Sequence, residues 1–573
     1  MDELPVKNAI ISVYDKTNLD ILINYLNNQD CYYNIWTSGG TFNYINSNKL
    51  SNYLCKISDL TEFPEILGGR VKTLHPKVYG GLLADSDKLE HVADMNNNNL
   101  IMFDLVVVNL YPFKQVTSQE HSEEEAIENI DIGGVSLIRA GAKNYKHISV
   151  LTNPEQYNDY INTNNTIEYR KKLATGAFKY IASYDMDIGM YFDNNTIYRT
   201  FTKKIPLKYG LNPYQENANI LSIDNNELPF TILNGKPGYI NVIDAVQSWK
   251  LVCEVKNVVG YEAVTSFKHT TPTGLAINYG ITDYEQNYFS INEYTSSLAI
   301  TFLRARNIDP LSSFGDFVAI SGIVDVETAK CISSQVSDGI IALGYDEMAL
   351  DILKKKKSGK YIILQGEIND TLTVEYKEYN GLCLSSNKNN AIISDTWFTN
   401  IPTNNKEFSN MNKTDLMLAN ILLKYTPSNS VAFSYNGQVL GVGAGQQNRV
   451  DCVRLAGNKM KTWFLRHHPD VLELRQQLKR EGVKKQDIIN SEYNLINTGL
   501  LKDKGKFLQQ KINHICLASD GFFPFSDNID VANEYGVKYI IQPGGSIRDD
   551  IVIQSCNKYD ILMVLTDKRM FYH

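Results

Sequence analysis

Cysteine is scarce in this chain. Eight occur among 573 residues, scattered singly, and none forms a C-x-x-C pair. That spacing excludes a zinc cluster or a disulfide framework and predicts free thiols in a reducing compartment. No apolar run reaches the roughly 18 residues of a membrane span. The opening Met1-Asp2-Glu3-Leu4-Pro5 has neither a basic nor an apolar stretch, so no secretory leader is expected. Positive charge is not in excess: 56 Lys and Arg face 64 Asp and Glu, a net charge of −8. A broad nucleic-acid surface is therefore not expected. A small anionic substrate remains compatible, because a local cluster of Lys and Arg can oppose the global sign. The expectation is a cytosolic protein with neither a nucleic-acid nor a membrane partner.

The length implies three or four domain-sized units. The first part alternates strand and helix signals: Ala9 to Tyr14, a helix over Leu19 to Leu26, then Asn34 to Thr37. Asp104 to Leu110 carries three valines, as strands buried on both faces do, and His147 to Leu151 is another strand. This predicts a doubly wound parallel α/β unit closed by a helix over Glu168 to Tyr191, with a boundary in the patternless Thr196 to Lys204. The second part predicts a helix over Asp244 to Val255 and strands at Ala263 to Phe267, Phe317 to Ser321, Gly339 to Ala342 and Tyr361 to Leu364. Ser430 to Val442 reads as a hairpin turned by Asn436-Gly437. Strands follow at Ile515 to Ser519, Tyr539 to Gln542 and Ile561 to Leu565, and Asp527 is expected to cap a helix that stops before Gly536. An internal echo pairs Ser266-Phe267 and Phe314-Gly315-Asp316-Phe317 with Ser430 and Asp520-Gly521-Phe522-Phe523, which predicts a duplicated unit. Lys354 to Lys357 read as a solvated helix end.

Several stretches carry chemistry. Ser12 to Thr17 and Ser38-Gly39-Gly40-Thr41 follow the first two strands and suit a phosphate. Gly68-Gly69-Arg70-Val71-Lys72-Thr73-Leu74-His75 packs three basic groups and a hydroxyl into a Gly-led loop. Tyr111 ends a buried strand, and Asp131-Ile132-Gly133-Gly134 with Arg139 to Asn144 adds a carboxylate, backbone donors and Lys143. Lysine, tyrosine and aspartate together relay protons and bind a developing oxyanion. His75 lacks partners at metal-ligand spacing. In the second part, Lys268-His269 ends a β-prone run and precedes Thr270-Thr271-Pro272-Thr273-Gly274, read as a loop. Such a pair can take a proton from a weak nucleophile and hold the resulting oxyanion.

The first-part motifs, from Ser12 to about Asp185, resemble the cyclohydrolase domain of the bifunctional AICAR formyltransferase/IMP cyclohydrolase family. The resemblance continues from Leu207 to His573 through Ser266-Phe267-Lys268-His269, Ser312 to Phe317, Ser428-Asn429-Ser430, Gly443 to Arg449, Ser519 to Phe525 and Arg569 to His573. It implies an α/β protein. Residues 1–199 would be a methylglyoxal-synthase-like doubly wound parallel sheet. Residues 200–573 would be two cytidine-deaminase-like units without zinc, meeting near residues 385 and 386. It implies formyl transfer from 10-formyltetrahydrofolate, a co-substrate, to AICAR, then closure of FAICAR to IMP, with no catalytic metal and a homodimer.

By resemblance, Ser12, Lys16, Ser38, Gly39, Gly40 and Thr41 cradle the nucleotide phosphate of the cyclohydrolase site, with Arg70 and Thr73 nearby. Lys72, Tyr111, Asp131 and Lys143 form its catalytic set. For formyl transfer His269 is the base, Lys268 its electrostatic partner, and Asn429 orients an amide or the formyl group. Lys208, Tyr209, Gly315, Asp338, Asn490 and Arg569 are implied nucleotide contacts; Arg449, Phe522, Phe525 and Asp527 are implied folate contacts, with Arg449 suited to the acidic tail. The chain departs from the family at Gly141, usually alanine, where little effect is expected. Further departures are Lys208 for arginine, Tyr214 for histidine, Ser526 for arginine and Tyr572 for histidine. A zinc deaminase is set aside because the second part holds neither H-x-E nor P-C-x-x-C. The remaining rivals are a methylglyoxal-synthase-like phospho-eliminating enzyme, a cyclohydrolase with a degenerate second half, and a nucleotide-binding relic.

Overall fold

Two sheets organise the chain in a computed structural model that describes residues 5–29, 31–193, 195–224, 226–367 and 373–573. Each lies in its own unit, Met1–Arg199 or Thr200–His573. The first sheet contains β1 (Val6–Val13), β2 (Tyr32–Thr37), β3 (Leu54–Lys56), β4 (Leu105–Asn109) and β5 (Ser149–Leu151) in the order β3-β2-β1-β4-β5. Every pairing is parallel. Helices cover both faces, which is why β4 reads Leu-Val-Val-Val-Asn without alternation and is buried throughout. Each buried valine contributes about 1.5–3 kcal/mol of apolar stabilisation. The chain winds outward in opposite directions from β1 and β4, so their carboxyl ends bound a crevice.

The second unit opens with a hairpin of β6 (Phe201–Pro206) and β7 (Asn219–Ile223). β6 begins inside the stretch read as patternless. There follow β8 (Phe230–Asn234), β9 (Ala263–Lys268), β10 (Thr271–Ile277), β11 (Asp316–Val324), β12 (Ser337–Tyr345) and β13 (Ile362–Gly366). A separate hairpin pairs β14 (Val374–Tyr379) with β15 (Leu382–Asn387). The last strands are β16 (Val431–Tyr435), β17 (Gln438–Gly443), β18 (Ile515–Ser519), β19 (Val537–Gln542) and β20 (Leu562–Leu565). Apart from the two hairpins they form one sheet, β20-β19-β18-β16-β17-β10-β9-β11-β12-β13-β8.

That order repeats itself. β10-β9-β11-β12-β13 and β17-β16-β18-β19-β20 share the same succession of two antiparallel and two parallel pairings. The repeats join antiparallel at Leu275↔Val439 and Ala276↔Gln438. This junction turns one repeat half a revolution against the other, so the β9–β10 and β16–β17 turns lie on opposite edges. The residues paired in the sequence echo occupy opposite ends of equivalent strands: Asp316 starts β11 whereas Asp520 follows β18. The half-turn brings both to the same edge, where each is a buried aspartate against an arginine, Arg306 or Arg449.

Two local expectations are corrected. Thr271 to Gly274 is strand, not loop: a register shift between Pro272 and Gly274 accommodates the proline. Gly274 is required there, since a Cβ would lie 2.5 Å from the Ala305 carbonyl oxygen. Asp527 is the first helical residue of Asp527–Glu534, with Ser526 at the cap position and no side-chain capping bond.

Candidate functional sites

In the first unit the loops after β1 and β4 are tied across the crevice. The Asn109 side-chain oxygen accepts from the Tyr14 and Asp15 amides at 2.6 and 2.9 Å, and its amide donates to the Asp15 carbonyl at 2.8 Å. Ser12 lies in β1 beside them, and the Lys16 ammonium, exposed, donates to the Tyr14 carbonyl at 3.0 Å. Ser38 is the N-cap of the Gly39–Ser47 helix and makes no side-chain capping bond. Gly39 has φ +50°, and a Cβ there would come within 3.0 Å of the Lys72 ammonium. Beside Gly40 the space is open. Thr41 is not available to a phosphate: its buried hydroxyl donates to the Val13 carbonyl and accepts from the Val13 amide, both at 3.1 Å.

The Asp131 carboxylate accepts from the Gly134 amide at 2.6 Å, at the start of the Gly133–Lys143 helix. Burial raises its pKa, partly offset by the Gly134 and Tyr111 amides and the Lys72 charge. Burial, then the Asp131 charge, raises the Tyr111 phenol. The Thr73 hydroxyl sits 3.0 Å from where a Gly133 Cβ would be. Lys72, Thr73, Tyr111 and Asp131 thus share one environment with the Gly39 helix terminus. Arg70 is turned to an ion pair with Glu128. Lys143 does not join them: it is exposed at the far end of its helix, about 15 Å along the axis from Gly133. Sequence reasoning missed Tyr184, whose hydroxyl bridges the Asp131 amide and the Asn129 carbonyl at 2.9 and 2.7 Å and pins the loop.

In the second unit, Lys268 ends β9 and donates to the Phe314 carbonyl at 2.6 Å, beside Gly315 at φ +78°. Lys268 and His269 line a cavity of about 460 Å³ with Thr271, Pro272, Thr273 and Ser312 of the first repeat and Val442, Ala444, Leu455 and Lys459 of the second. Lys459, which pairs with Asp309 at 3.2 Å, was not singled out from the sequence. Asp338 at the start of β12 pairs with Lys357 at 2.6 Å, and the half-buried Lys356 ammonium donates to the Gln335 carbonyl. Lys354, Lys355 and Lys357 are exposed at and just past the end of the Glu347–Lys355 helix, as a solvated helix end is expected to be, and Lys356 is the one drawn inward. Burial, then Lys357 and Arg306, lowers Lys356 to about 8.

Asn429 precedes β16, where its side-chain amide donates to the Gln446 carbonyl at 3.0 Å and its oxygen accepts from Arg449 at 2.8 Å. The Arg449 guanidinium is buried and spent on Asp520, Ser519 and Asn429. It is thus unavailable for a folate tail and instead orients Asn429. Asp520 also accepts from the Ser428 hydroxyl and the Ser430 amide at 2.6 and 3.0 Å. Arg569 stacks on Phe571 at 4.4 Å, and Phe571 also lies 6.0 Å from the Arg449 guanidinium, so Arg569 reaches this cluster. Phe522 and Phe525 are exposed, 41% and 50%, with Arg548 over Phe525, while Phe523 between them is buried. Exposure separates the two flanking rings from ordinary core packing. Asp527 is exposed beside them. Lys208 lies over the Tyr209 ring at 5.8 Å in the segment after β6, and Asn490, on the Lys485–Asn497 helix, accepts from Gln486. No contact links these three to the cavity among the described residues.

Of the departures, Tyr214 is exposed, whereas the Tyr572 hydroxyl accepts from Gln247 at 2.9 Å. A Cβ on Gly141 would press within 2.9 Å of Val150 and 3.0 Å of Val106, so that glycine lets its helix settle on the sheet. The expectation that this departure matters little is corrected accordingly. The eight cysteines stand free. Asp85, Asp87 and His147 bring ligand-type atoms within 4.8 Å of one another, 60 residues apart in sequence and so invisible to motif spacing.

Comparison with known proteins gives the family. Residues 141–459 match the family described as AICARFT/IMPCHase bienzyme, and residues 21–136 match the MGS-like domain. The bifunctional purine biosynthesis protein PurH of Prochlorococcus marinus strain MIT 9215 is 34% identical over 588 residues, covering 99% of each chain. That of strain NATL2A is 35% identical over 593 residues, again 99% of each. The crystal structure titled ForH is 28% identical, covering 32% of this chain and 96% of that one, with a TM-score of 0.30. The chain belongs to the AICARFT/IMPCHase bienzyme family, whose members join AICAR formyltransferase and IMP cyclohydrolase in one polypeptide for purine biosynthesis.

Proposed function

We propose that the two residue clusters divide the family's two reactions between the two units. The family role is formyl transfer to AICAR followed by closure of FAICAR to IMP. The formyl donor is a folate, here taken as 10-formyltetrahydrofolate. His269 removes the proton of the weakly nucleophilic 5-amino group as it attacks the formyl carbon, and Lys268 holds the oxyanion that forms. Collapse of the intermediate expels tetrahydrofolate nitrogen, which takes up a proton, and leaves FAICAR. Asn429, locked by Arg449, orients the amide or formyl group. Gly315, Asp338 and Arg569 bind the nucleotide together with Lys208, Tyr209 and Asn490, while Phe522, Phe525 and Asp527 receive the folate.

In the first unit the carboxamide nitrogen of FAICAR attacks its own formyl carbon and water leaves. This asks for positioning and proton transfer more than for a strong nucleophile. Lys72, Tyr111 and Asp131 supply the proton transfers; Ser12, Lys16, Ser38, Gly39, Gly40 and Thr73 hold the phosphate. The repeated sheet is read as two cytidine-deaminase-like units that do without zinc, since the second part lacks the deaminase ligand motif. Neither reaction calls for a catalytic metal. The protein is further read as a cytosolic homodimer, and among the described residues no helix is long and apolar enough to cross a membrane.

The observation carrying the reading is that Lys268 and His269 open into a cavity completed by the other repeat. Incubation with AICAR and 10-formyltetrahydrofolate, and separately with FAICAR, tests it. IMP from both is expected; IMP from FAICAR alone would reduce the second unit to a degenerate formyltransferase. Lysine at position 208 keeps charge but lacks the bidentate fork. Lys208→Arg is accordingly expected to lower the KM for AICAR, and an unchanged KM would remove Lys208 from the phosphate site.

A further inference from the structure

The two repeats build the same turn from very different residues. In the second repeat Asn436-Gly437 takes φ values of +50° and +73°, the pair best suited to a two-residue hairpin with both residues left-handed. In the first repeat the same two positions are His269 and Thr270, at +53° and +61°. A β-branched threonine in this region is a steric outlier, and such outliers persist only where the surroundings over-determine them.

One side chain recurs behind both turns. Asp415, sixth residue of the Asn410–Leu423 helix, accepts from the Gly437 and Asn436 amides, each at 2.8 Å. Asp244, sixth residue of the Tyr239–Val259 helix, accepts from the Thr270 amide at 2.7 Å, using Oδ1 as Asp415 does for Gly437. Asp244 is buried. Burial raises its pKa, while the Thr270 amide and the His269 charge and amide draw it back down. The Asn-Gly turn would form without help; the His-Thr turn would not.

We propose that Asp244 is a positioning residue for formyl transfer. Its carboxylate holds the His269-Thr270 turn in a conformation those residues disfavour and so fixes Lys268 and His269 at the cavity mouth. This rests on the reading of His269 as the base. Glycine at position 270 would remove the steric penalty that the carboxylate offsets, because glycine takes a positive φ without a Cβ clash.

The test compares D244N, T270G, D244N/T270G and H269A for formyl transfer, with closure of FAICAR as the internal control. D244N is expected to lower the formyl-transfer kcat at least about tenfold while the KM for AICAR moves less than about threefold. FAICAR closure should be unchanged, and D244N/T270G should recover most of the lost kcat. Parental kcat in D244N, or a loss that T270G fails to relieve, overturns the proposal. Should D244N not fold, the double variant decides: folded and active supports the proposal, unfolded or folded but inactive overturns it. Retained formyl transfer in H269A would refute the base assignment, a failure separate from that of Asp244.

Discussion

The first unit gathers its charged groups where parallel strands end, whereas the second gathers them at an edge where strands both end and begin. In the first, Lys16, Ser38 and Tyr111 follow β1, β2 and β4, all at carboxyl ends bordering one crevice. In the second, Lys268 ends β9 and Asp520 follows β18, but Asp338 lies at the start of β12 and Asn429 just before β16. A parallel sheet makes its site from one chain direction. An antiparallel junction between two repeats makes a site from both directions and needs both repeats to complete it. The lesson is that a duplicated fold need not duplicate its site: one edge of the joined sheet takes contributions from each copy, and the second repeat's own turn is left on the opposite edge with Asn436-Gly437.

The largest effect expected is a clean separation of the two units. Asp131→Asn should lower FAICAR closure by about 10²–10⁴-fold and spare formyl transfer, and His269→Ala should do the reverse. Parallel losses in both assays would break the comparison. Arg449→Met leaves Asp520 buried and unpaired, which costs about 3–5 kcal/mol in that unit. Denaturation followed alongside FAICAR closure should show the second unit weakened and closure intact.

A pH dependence belongs to the second repeat. Burial raises Asp415 to about 7, against the two turn amides that lower it. The folded carboxyl therefore keeps its proton where the unfolded one has lost it. The stability this confers is complete below about pH 4 and is lost as pH rises to about 7, up to about 4 kcal/mol. The stability difference between parent and Asp415→Asn, from urea titrations across that window, should fall with rising pH; a flat difference would remove Asp415 as the source. The smallest effect lies in the first unit, where Gly141→Ala forces a methyl against Val106 and Val150 and should cost about 1–3 kcal/mol. A thermal melt of the parent and variant checks it.

Hairpin chemistry was legible at Asn436-Gly437 because turn preference is local. The identical turn at His269-Thr270 was not, since both residues oppose it and the force holding them comes from Asp244, 25 residues earlier. Proline and glycine made Thr271 to Gly274 look like loop, yet the bulge and the close approach of the Ala305 carbonyl are properties of neighbours in space. Arg449 looked like a free cation for an acidic tail because nothing local announces that Asp520 neutralises it.

The sequence by itself determined the α/β alternation, the buried parallel strands, the chemically active residue types and the family, because hydrophobic period and motif order are written in neighbouring positions. Only the tertiary structure decided that the second unit's strands form one continuous sheet, that Lys143 stands apart from Asp131, and that Thr41 and Arg449 spend their polar groups internally. Those outcomes depend on long-range pairing and burial, and no local run of residues encodes which distant partner will satisfy a buried charge.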